Sequence, residues 1–461
     1  MTERSRRMLF THFTSFAPAG PAGAQWDHPR ARDFDYLNLD HWIKLARALE
    51  EARFDAFFWA DHSGVHDVYE NSYETAVREA TQFPLGDPLS LTAALASSTT
   101  DLGFAFSSNV IQDHPYSFAR RLSTLDHLTR GRIGWNIVTS FQPSAWRNFG
   151  HEEVADHGAR YEQAEEYVTV LYKLLQGSWE DGAVVRDLER RVYAEPSRVH
   201  PIAHEGKYYR VPGIHTNEPS AQRVPVLFQA GTSEDGRSFA ARNAEGMFLH
   251  PHSVEAAAKV VQDMRRRLRA AGRDEDDLAF LVFKIFIVGS TEEEARRKSA
   301  EADEYLSSDA SLAFFSSTIG TDLSEIDLDS PIGELETNAV QGHIRALIDA
   351  APDKGWTFRE LVTTLTGTRT VGTPEQIADE IERWQEAGIH GFNVNSITGP
   401  DDTYDFLDHV VPVLQRRGLM QTEYAPGTFR EKLATATGSP AGPRLNERHP
   451  GYTHLHSVDR G

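Results

Sequence analysis

The sequence of 461 residues contains no cysteine. Disulfide bonds, thiolate nucleophiles, iron–sulfur clusters and cysteine-ligated zinc sites are therefore excluded. The sequence also has no run approaching the roughly 18 apolar residues that a membrane-spanning helix needs. Lys and Arg number 47 against 68 Asp and Glu, which gives a formal net charge of −21. Because so acidic a surface repels phosphate backbones and anionic membranes, we expect neither nucleic acid nor a membrane as a partner.

Metal-binding, hydrolase and export motifs are missing as well. His62 and His66 are four residues apart, but no glutamate completes an H-E-x-x-H motif. No G-x-S-x-G motif marks the nucleophile of an α/β-hydrolase. Arg6-Arg7 and Ala22-Gly23-Ala24 are similar to parts of a secretion signal, but polar residues interrupt the apolar stretch between them. We therefore expect a cytoplasmic protein without a metal site.

Short apolar runs alternate along the chain with longer segments of helical periodicity. The runs are apolar on both faces, as strands covered on both sides must be. The predicted strands lie at 8–14, 54–60, 102–106, 132–138, 224–230, 280–288 and 392–395. Between them, Leu39–Leu49 and Tyr161–Leu175 carry apolar residues at helical spacing, and Thr373–Gln376 form a capping box. About eight strand–helix units fit, which predicts an α/β fold of the (β/α)8 TIM-barrel type.

Two stretches interrupt this alternation. Residues 178–223 are polar and rich in Arg, His and Pro, and residues 303–370 are irregular. Because no Gly/Ser-rich linker separates them from the barrel, we interpret both as insertions into one decorated domain over 1–435. A C-terminal extension would follow over 436–461. The competing architecture is a doubly wound Rossmann-like sheet, but the first strand–helix turn has no G-x-G-x-x-G motif.

The segment Gln229–Ser238 is the clearest candidate binding site. A buried strand runs into the turn Gly231-Thr232-Ser233 and then into a helix, so backbone N–H groups and two hydroxyls can surround an anion. Phosphate-bearing ligands bind at this end of barrel strands. The glycine spacing approaches a Walker A loop, but Arg237 replaces the lysine, and Glu234 and Asp235 would repel a triphosphate. The segment therefore favours a monophosphate, and a simply capped helix is the alternative.

Two further groups of polar residues lie near predicted strand or helix ends. Asn136 and Ser140 close the strand at 132–138, although hydroxyls are also common in ordinary turns. His157 and Tyr161 are four residues apart and share one face of a helix. They are either two donors that reach into the barrel mouth or a core histidine with a tyrosine neighbour.

Taken together, these segments resemble the bacterial-luciferase-like flavin monooxygenases. The most similar group contains the nitrilotriacetate, dibenzothiophene-sulfone, dimethyl-sulfide and long-chain alkane monooxygenases. The resemblance extends over residues 8–435 and is clearest at 54–69 (FDAFFWADHSGVHDVY), 120–140, 147–150 (RNFG), 206–213, 219–236 (PSAQRVPVLFQAGTSEDG), 371–384 and 410–419.

The resemblance implies a barrel that binds reduced FMN at the carboxyl ends of its strands. The cofactor-binding residues that it implies are Asp61, Ser107, Ser140, His157, Tyr161, Thr232 and Ser233, and the strand end and the turn described above add Asn136 and Gly231. The candidate substrate-facing residues are Phe13, Phe58, His62, His66, Gln82 and Phe248. Trp59 and Trp135 are further candidates for an apolar mouth, but for these two and for Phe248 a place in the core is the preferred interpretation. Because the flavin performs the chemistry, no side chain has a certain catalytic role, and His62 and His66 are the candidates.

The resemblance also implies a two-component enzyme. A separate NAD(P)H:flavin reductase would supply the reduced FMN, O₂ would be the cosubstrate, and a small organic molecule would undergo hydroxylation or C–S or C–N cleavage. A homodimer or homotetramer is expected. A deazaflavin (F420)-dependent oxidoreductase and a flavin-binding protein without catalysis are the alternatives.

The chain departs from the family pattern at the predicted mouth. Ala60-Asp61-His62-Ser63-Gly64 stands where family members often have Ala-Asp-Val-Val-Gly, and His66 stands where a tyrosine is expected. Histidines here could bind a polar or acidic group of the substrate or move a proton. The substrate class therefore does not follow from the resemblance.

Overall fold

Eight parallel strands form a closed barrel in the computed structural model, which describes residues 7–20, 25–329, 356–357, 359–360, 369–439 and 442–455. The strands are β1 (Leu9–Ser15), β2 (Ala56–Ala60), β3 (Gly103–Asn109), β4 (Ile133–Val138), β5 (Val184–Asp187), β6 (Val192–Ala194), β7 (His204–Glu205), β8 (Arg210–Val211), β9 (Val226–Gln229), β10 (Gly246–Leu249), β11 (Ala279–Val288), β12 (Arg369–Gly372) and β13 (Gly391–Asn395). The barrel follows the order β1-β2-β3-β4-β9-β10-β11-β13 and closes from β13 to β1. The predicted TIM barrel is confirmed.

Helices alternate with the barrel strands, and most of them cover the outside of the barrel. They are α1 (Leu39–Glu51), α2 (Glu74–Arg78), α3 (Pro88–Ala96), α4 (Pro115–Thr129), α5 (Pro143–Asn148), α6 (His157–Tyr172), α7 (Glu234–Asn243), α8 (Val254–Ala270), α9 (Glu292–Glu304), α10 (Ser308–Ile319), α11 (Pro374–Glu386), α12 (Asp401–Asp405), α13 (Val411–Arg416) and α14 (Phe429–Thr437). The capping box that predicted α11 is present at its N-terminus. Among the described residues, none of these helices has the length and apolar character needed to cross a bilayer.

Side chains of the barrel strands alternate between the interior and the helix layer, because successive residues of a strand point to opposite faces. Phe58 belongs to the interior cluster, so its neighbour Trp59 faces outwards. The Trp59 ring lies 5.0 Å from that of Trp42 in α1, and the Trp135 ring lies 5.0 Å from that of Phe118 in α4. Trp59 and Trp135 are therefore core residues between the barrel and its helices, which was the preferred interpretation of both, and they do not line the mouth.

Helix α14 closes the amino-terminal end of the barrel. Phe429, Leu433 and Ala436 are buried among the inward-facing residues of the strands. Gly103 and Gly134 make room for this helix, since a Cβ on either would approach the Phe429 ring to 2.9 Å or 3.2 Å. The predicted boundary at residue 435 falls within this helix.

The insertions contain more regular structure than their composition suggested. Residues 178–223 include the antiparallel pairs β5–β6 and β7–β8. Strand β12 extends the sheet beside the second half of β11, and α10 lies in the second insertion. Of that insertion, residues 330–355, 358 and 361–368 lie outside the described residues, as do 440–441 and 456–461 of the C-terminal extension. The domain boundaries remain predictions.

Candidate functional site

The turn between β9 and α7 is built for a close approach to a ligand. The Ser233 hydroxyl caps α7 by accepting a hydrogen bond from the Gly236 N–H at 3.1 Å. The Gly231 N–H donates to the Gln229 side-chain oxygen at 2.6 Å. A Cβ on Gly231 would lie 2.4 Å from the Tyr161 hydroxyl, and one on Gly236 would lie 2.8 Å from it. Only glycine at both positions allows the turn to pack this closely against Tyr161.

Tyr161 and His157 reach this turn from α6. The Tyr161 hydroxyl lies 3.3 Å from the Gln229 side-chain nitrogen and also faces Ser233. Burial raises the pKa of Tyr161, so its hydroxyl keeps the proton and is available as a donor. The rings of His157 and Tyr161 are 5.1 Å apart, as their shared helix face predicted.

Two acidic residues in the first turn of α7 are engaged by partners on other elements. Glu234 accepts two hydrogen bonds from the Arg267 guanidinium, at 2.6 and 2.8 Å. The Asp235 carboxylate lies 2.9 Å from Nδ1 of His157. These contacts reduce the repulsion that the two carboxylates would exert on an anion at the helix N-terminus. The turn can therefore hold a single phosphate.

A second polar group lies at the ends of β3 and β4. The Asn136 side-chain nitrogen donates to the Ser107 hydroxyl at 3.0 Å, and the register of β4 points both side chains into the barrel. The side-chain oxygen of Asn136 has no partner within the described part of the chain, although the residue is only 5% exposed. A buried acceptor of this kind is stabilised when a ligand inside the barrel donates to it.

Ser140 follows β4 in a left-handed conformation, with φ of 53°. Its carbonyl oxygen accepts hydrogen bonds from the Trp146 indole at 3.2 Å and from the buried Arg160 guanidinium at 2.8 Å. These two donors stabilise the unusual backbone conformation and thereby fix the direction of the Ser140 side chain.

Aromatic rings line the barrel interior below the mouth. The Phe13 and Phe58 rings are stacked at 5.1 Å, and the Phe58 and Phe248 rings are stacked at 4.5 Å. Phe283 on β11 meets the Phe13 ring edge-on at 5.7 Å. The three predicted phenylalanines thus form one apolar wall inside the barrel.

Histidines and amides form the polar side of the mouth, in loops that follow β2 and β4. The His62 and His66 rings are 5.3 Å apart. Nδ1 of His62 donates to the Gly64 carbonyl at 2.8 Å. His66 lies between the side chains of Gln82 and Gln142, each at 3.4 Å from one ring nitrogen. Burial lowers the pKa of His62 to about 4 and that of His66 to about 3.

Asp61 begins the loop after β2, next to His62. Burial, and secondly the charge of Asp87, raise the pKa of its carboxyl to about 7. In the part of the chain that the structure describes, no group of three or more His, Asp or Glu side chains is arranged to hold a metal ion.

The sequence model of the luciferase-like monooxygenase family matches residues 8–391. The chain belongs to this family. The prediction of a flavin-dependent monooxygenase is confirmed.

This luciferase-like monooxygenase is similar to known proteins along most of its length. It is 40% identical over 450 residues to a dimethyl-sulfide monooxygenase of Hyphomicrobium sulfonivorans, covering 96% of this chain and 93% of the relative. It is 45% identical over 409 residues to a long-chain alkane monooxygenase of Geobacillus thermodenitrificans (strain NG80-2), covering 88% and 90%. The crystal structure of a riboflavin lyase with modified FMN and riboflavin superposes with a TM-score of 0.90 at 35% identity, covering 97% and 99%.

Several residues at the mouth of this luciferase-like monooxygenase were not predicted from the sequence. Gln229 holds both Gly231 and Tyr161, Arg160 holds Ser140, and Gln142 contacts His66. Gln229 begins the predicted binding segment, and only its side-chain contacts were not predicted, whereas nothing in the local sequence marks Gln142. Phe283 lies on a predicted strand, two residues beyond the inward-facing Leu281.

Proposed function

We propose that the chain is the oxygenase component of a two-component system, which binds reduced FMN from a separate NAD(P)H:flavin reductase and oxidises a small organic substrate with O₂. The observation that carries this proposal is the Tyr161–Gly231–Gly236 cradle, which lies at the same end of the barrel as the unpartnered oxygen of Asn136. The first suits one phosphate, and the second suits a donor on a ligand that enters the barrel. The two curated relatives are monooxygenases, which favours oxygen transfer over the hydride transfer of a deazaflavin enzyme.

Each predicted residue has a specific role in this proposal. Tyr161, Thr232, Ser233 and the backbone of Gly231 would hold the phosphate, supported by Ser140, and His157 would keep Asp235 away from it. The cofactor-facing polar residues inside the barrel would be Asp61, Ser107 and Asn136. Reduced FMN, when bound, supplies the electrons that activate O₂ for oxygen transfer.

The substrate would bind between the aromatic wall and the histidine side of the mouth. Phe13, Phe58 and Phe248 would contact its apolar part and exclude water. His62, His66 and Gln82 would contact the other side. Association into homodimers or homotetramers and the transient contact with a reductase belong to the same proposal.

Binding of reduced FMN under anaerobic conditions tests the cofactor assignment. Tyr161→Phe removes the hydroxyl that faces the cradle, and the loss of one buried hydrogen bond should cost about 1–3 kcal/mol, or roughly 5- to 150-fold in Kd. Tyr208→Phe is the matched control, because the Tyr208 hydroxyl bonds to Glu162 on the protein surface. Absence of binding to the wild-type chain, or equal affinity in all three proteins, would reject the site.

Catalysis is tested separately with a flavin reductase, NAD(P)H and O₂. A panel of sulfides, alkanes and amines should include a compound that yields an oxygenated product. Release of H₂O₂ alone, with every compound of the panel, would instead favour a flavin-binding protein without catalysis.

A further inference from the structure

His66 is held between one hydrogen-bond donor and one acceptor. The Gln142 amide nitrogen faces Nδ1, so Nδ1 must be an acceptor, and Nε2 must carry the proton that is donated to the Gln82 oxygen. Both His66 and Gln142 are buried, with exposures of 1% and 3%. Protonation of Nδ1 would place an N–H group against the Gln142 amide in a poorly hydrated site. The contacts with Gln82 and Gln142 therefore favour the neutral form of the His66 ring.

Among the described residues that contact His66, none supplies a positive charge. Nδ1 of His62 donates to a backbone carbonyl, and burial disfavours the charged form of its ring. The Phe314 ring covers His66 from α10, with the ring centres 5.4 Å apart.

Three arginines in the described part of the chain, on the neighbouring helices α2, α4 and α5, are engaged in ion pairs. Arg78 pairs with Glu79 at 2.9 Å and with Asp309 at 3.3 Å. Arg121 pairs with Asp113 at 2.5 Å, and Arg147 pairs with Asp67 in the loop that carries both histidines. Using any of these cations to bind a substrate carboxylate would require an existing pair to break.

From these contacts we infer that this monooxygenase selects uncharged substrates and discriminates against carboxylates. In this inference Gln82 and Gln142 position His66 so that an uncharged imidazole ring faces the mouth of the barrel. This inference rests on the proposed function and adds the charge of the substrate to it. The family resemblance includes enzymes for neutral sulfides and alkanes as well as one for the tricarboxylate nitrilotriacetate, so it does not determine this charge. The histidines that replace the usual residues at 62 and 66 therefore contribute hydrogen bonds and shape, not charge.

The protonation state of His66 can be measured without knowing the substrate. Histidine-ring nitrogen NMR spectra of the full chain, recorded from pH 8 to pH 5.5, should show His66 with its proton on Nε2 throughout. His66→Gln assigns the signal by its disappearance, and the exposed His409 supplies a reference within the same chain. An imidazolium signal from His66 above pH 6 would overturn the inference. That state would arise if the Gln142 amide presented its oxygen to Nδ1.

Matched pairs of compounds test the inference in turnover. Octane and octanoate form one pair, and dibutyl sulfide and its terminal carboxylate form another. With reductase, FMN and O₂ present, the neutral member should have a kcat/KM more than about tenfold above that of its carboxylate, because an unpaired charge is costly to desolvate. Equal or better oxidation of a carboxylate would overturn the inference, and if neither member reacts, the ring spectra decide.

The two proposals fail in different ways. A chain that does not bind reduced FMN contradicts the proposed function but leaves the His66 spectra unchanged. A chain that binds reduced FMN and oxidises octanoate as well as octane retains the proposed function and loses the charge selection. Gln142→Leu removes the donor to Nδ1 and should leave FMN affinity unchanged, while the preference for one histidine tautomer is weakened, because only the Gln82 oxygen then favours the proton on Nε2.

Discussion

Gly231 and Gly236 determine how closely the turn after β9 approaches the Tyr161 hydroxyl. Tyr161, Gln229 and the two glycines are packed so tightly that a single methyl group cannot enter without moving one of them. The position of the phosphate cradle therefore depends on the absence of side chains as much as on the hydroxyls of Thr232 and Ser233.

Gly231→Ala should weaken the binding of reduced FMN by tenfold or more. Its new Cβ would lie 2.4 Å from the Tyr161 oxygen and 2.5 Å from the Gln229 nitrogen, so the cradle must open. Gly213→Ala is the control, because a Cβ there meets no atom within 4 Å. Anaerobic titration of both variants measures the effect, and a Gly231→Ala protein with wild-type affinity would show that the phosphate lies elsewhere.

Asp61 should make the stability of the wild-type chain depend on pH. Its pKa is about 7 in the folded protein, mainly because of burial and secondly because of Asp87, against an ordinary value of 3.8. Between these two pH values the folded chain keeps a proton that the unfolded chain releases, so the contribution of Asp61 to stability is present below pH 3.8 and is lost as pH rises towards 7.

Asp61→Asn removes this dependence. The variant should be more stable than the wild type at pH 8, and the difference should shrink as the pH falls towards 4. Urea unfolding at pH 5 and pH 8 measures it, with Asp408→Asn on the surface as the control. A difference that is the same at both pH values would show that the Asp61 carboxyl titrates normally.

Among the elements, α14 has an unusual position because it fills the interior of a barrel formed by much earlier parts of the sequence. Phe429 lies against Gly103 of β3 and Gly134 of β4, and its ring is 6.0 Å from that of Phe228 in β9. The helix is thus part of the central core and not a surface attachment.

Phe429→Ala should lower the free energy of unfolding by about 3–5 kcal/mol, because it leaves a cavity that the rigid strands cannot fill. Leu188→Ala on the β5–β6 turn, which is 91% exposed, should change it by less than about 0.5 kcal/mol. Urea unfolding followed by circular dichroism compares the two variants. Equal stability of Phe429→Ala and wild type would mean that α14 does not support the barrel.

The strands were predictable where their apolar runs were long enough to be recognised. Seven of the eight barrel strands coincide with predicted runs, and the eighth, β10, was missed because Gly246–Leu249 is only four residues long and begins with glycine. The hairpins β5–β6 and β7–β8 were missed because their residues are polar and mostly exposed. Their strands depend on pairing with each other and on packing against the barrel, which no local pattern shows.

At the scale of the whole molecule, the ends of the strands gather residues that are distant in the sequence. Closure of a parallel barrel could be predicted to bring Asn136, Tyr161 and Gly231 to one rim, since carboxyl ends of the strands share it. The contact between His66 and Gln142 could not be predicted, because it joins loops 76 residues apart whose course is set by packing. Because neighbouring residues of a strand face opposite sides, Trp59 must face outwards once Phe58 is known to face inwards. The sequence alone does not show which of these two residues faces the interior of the barrel.

The position of α14 has a consequence for synthesis on the ribosome. All eight barrel strands precede Phe429 in the chain, so they leave the ribosome before the helix that fills their centre. A nascent chain that ends before this helix has an apolar barrel interior open at its amino-terminal end, where Gly103 and Gly134 leave space. Emergence of α14, rather than emergence of the last strand, is therefore the event that completes the core.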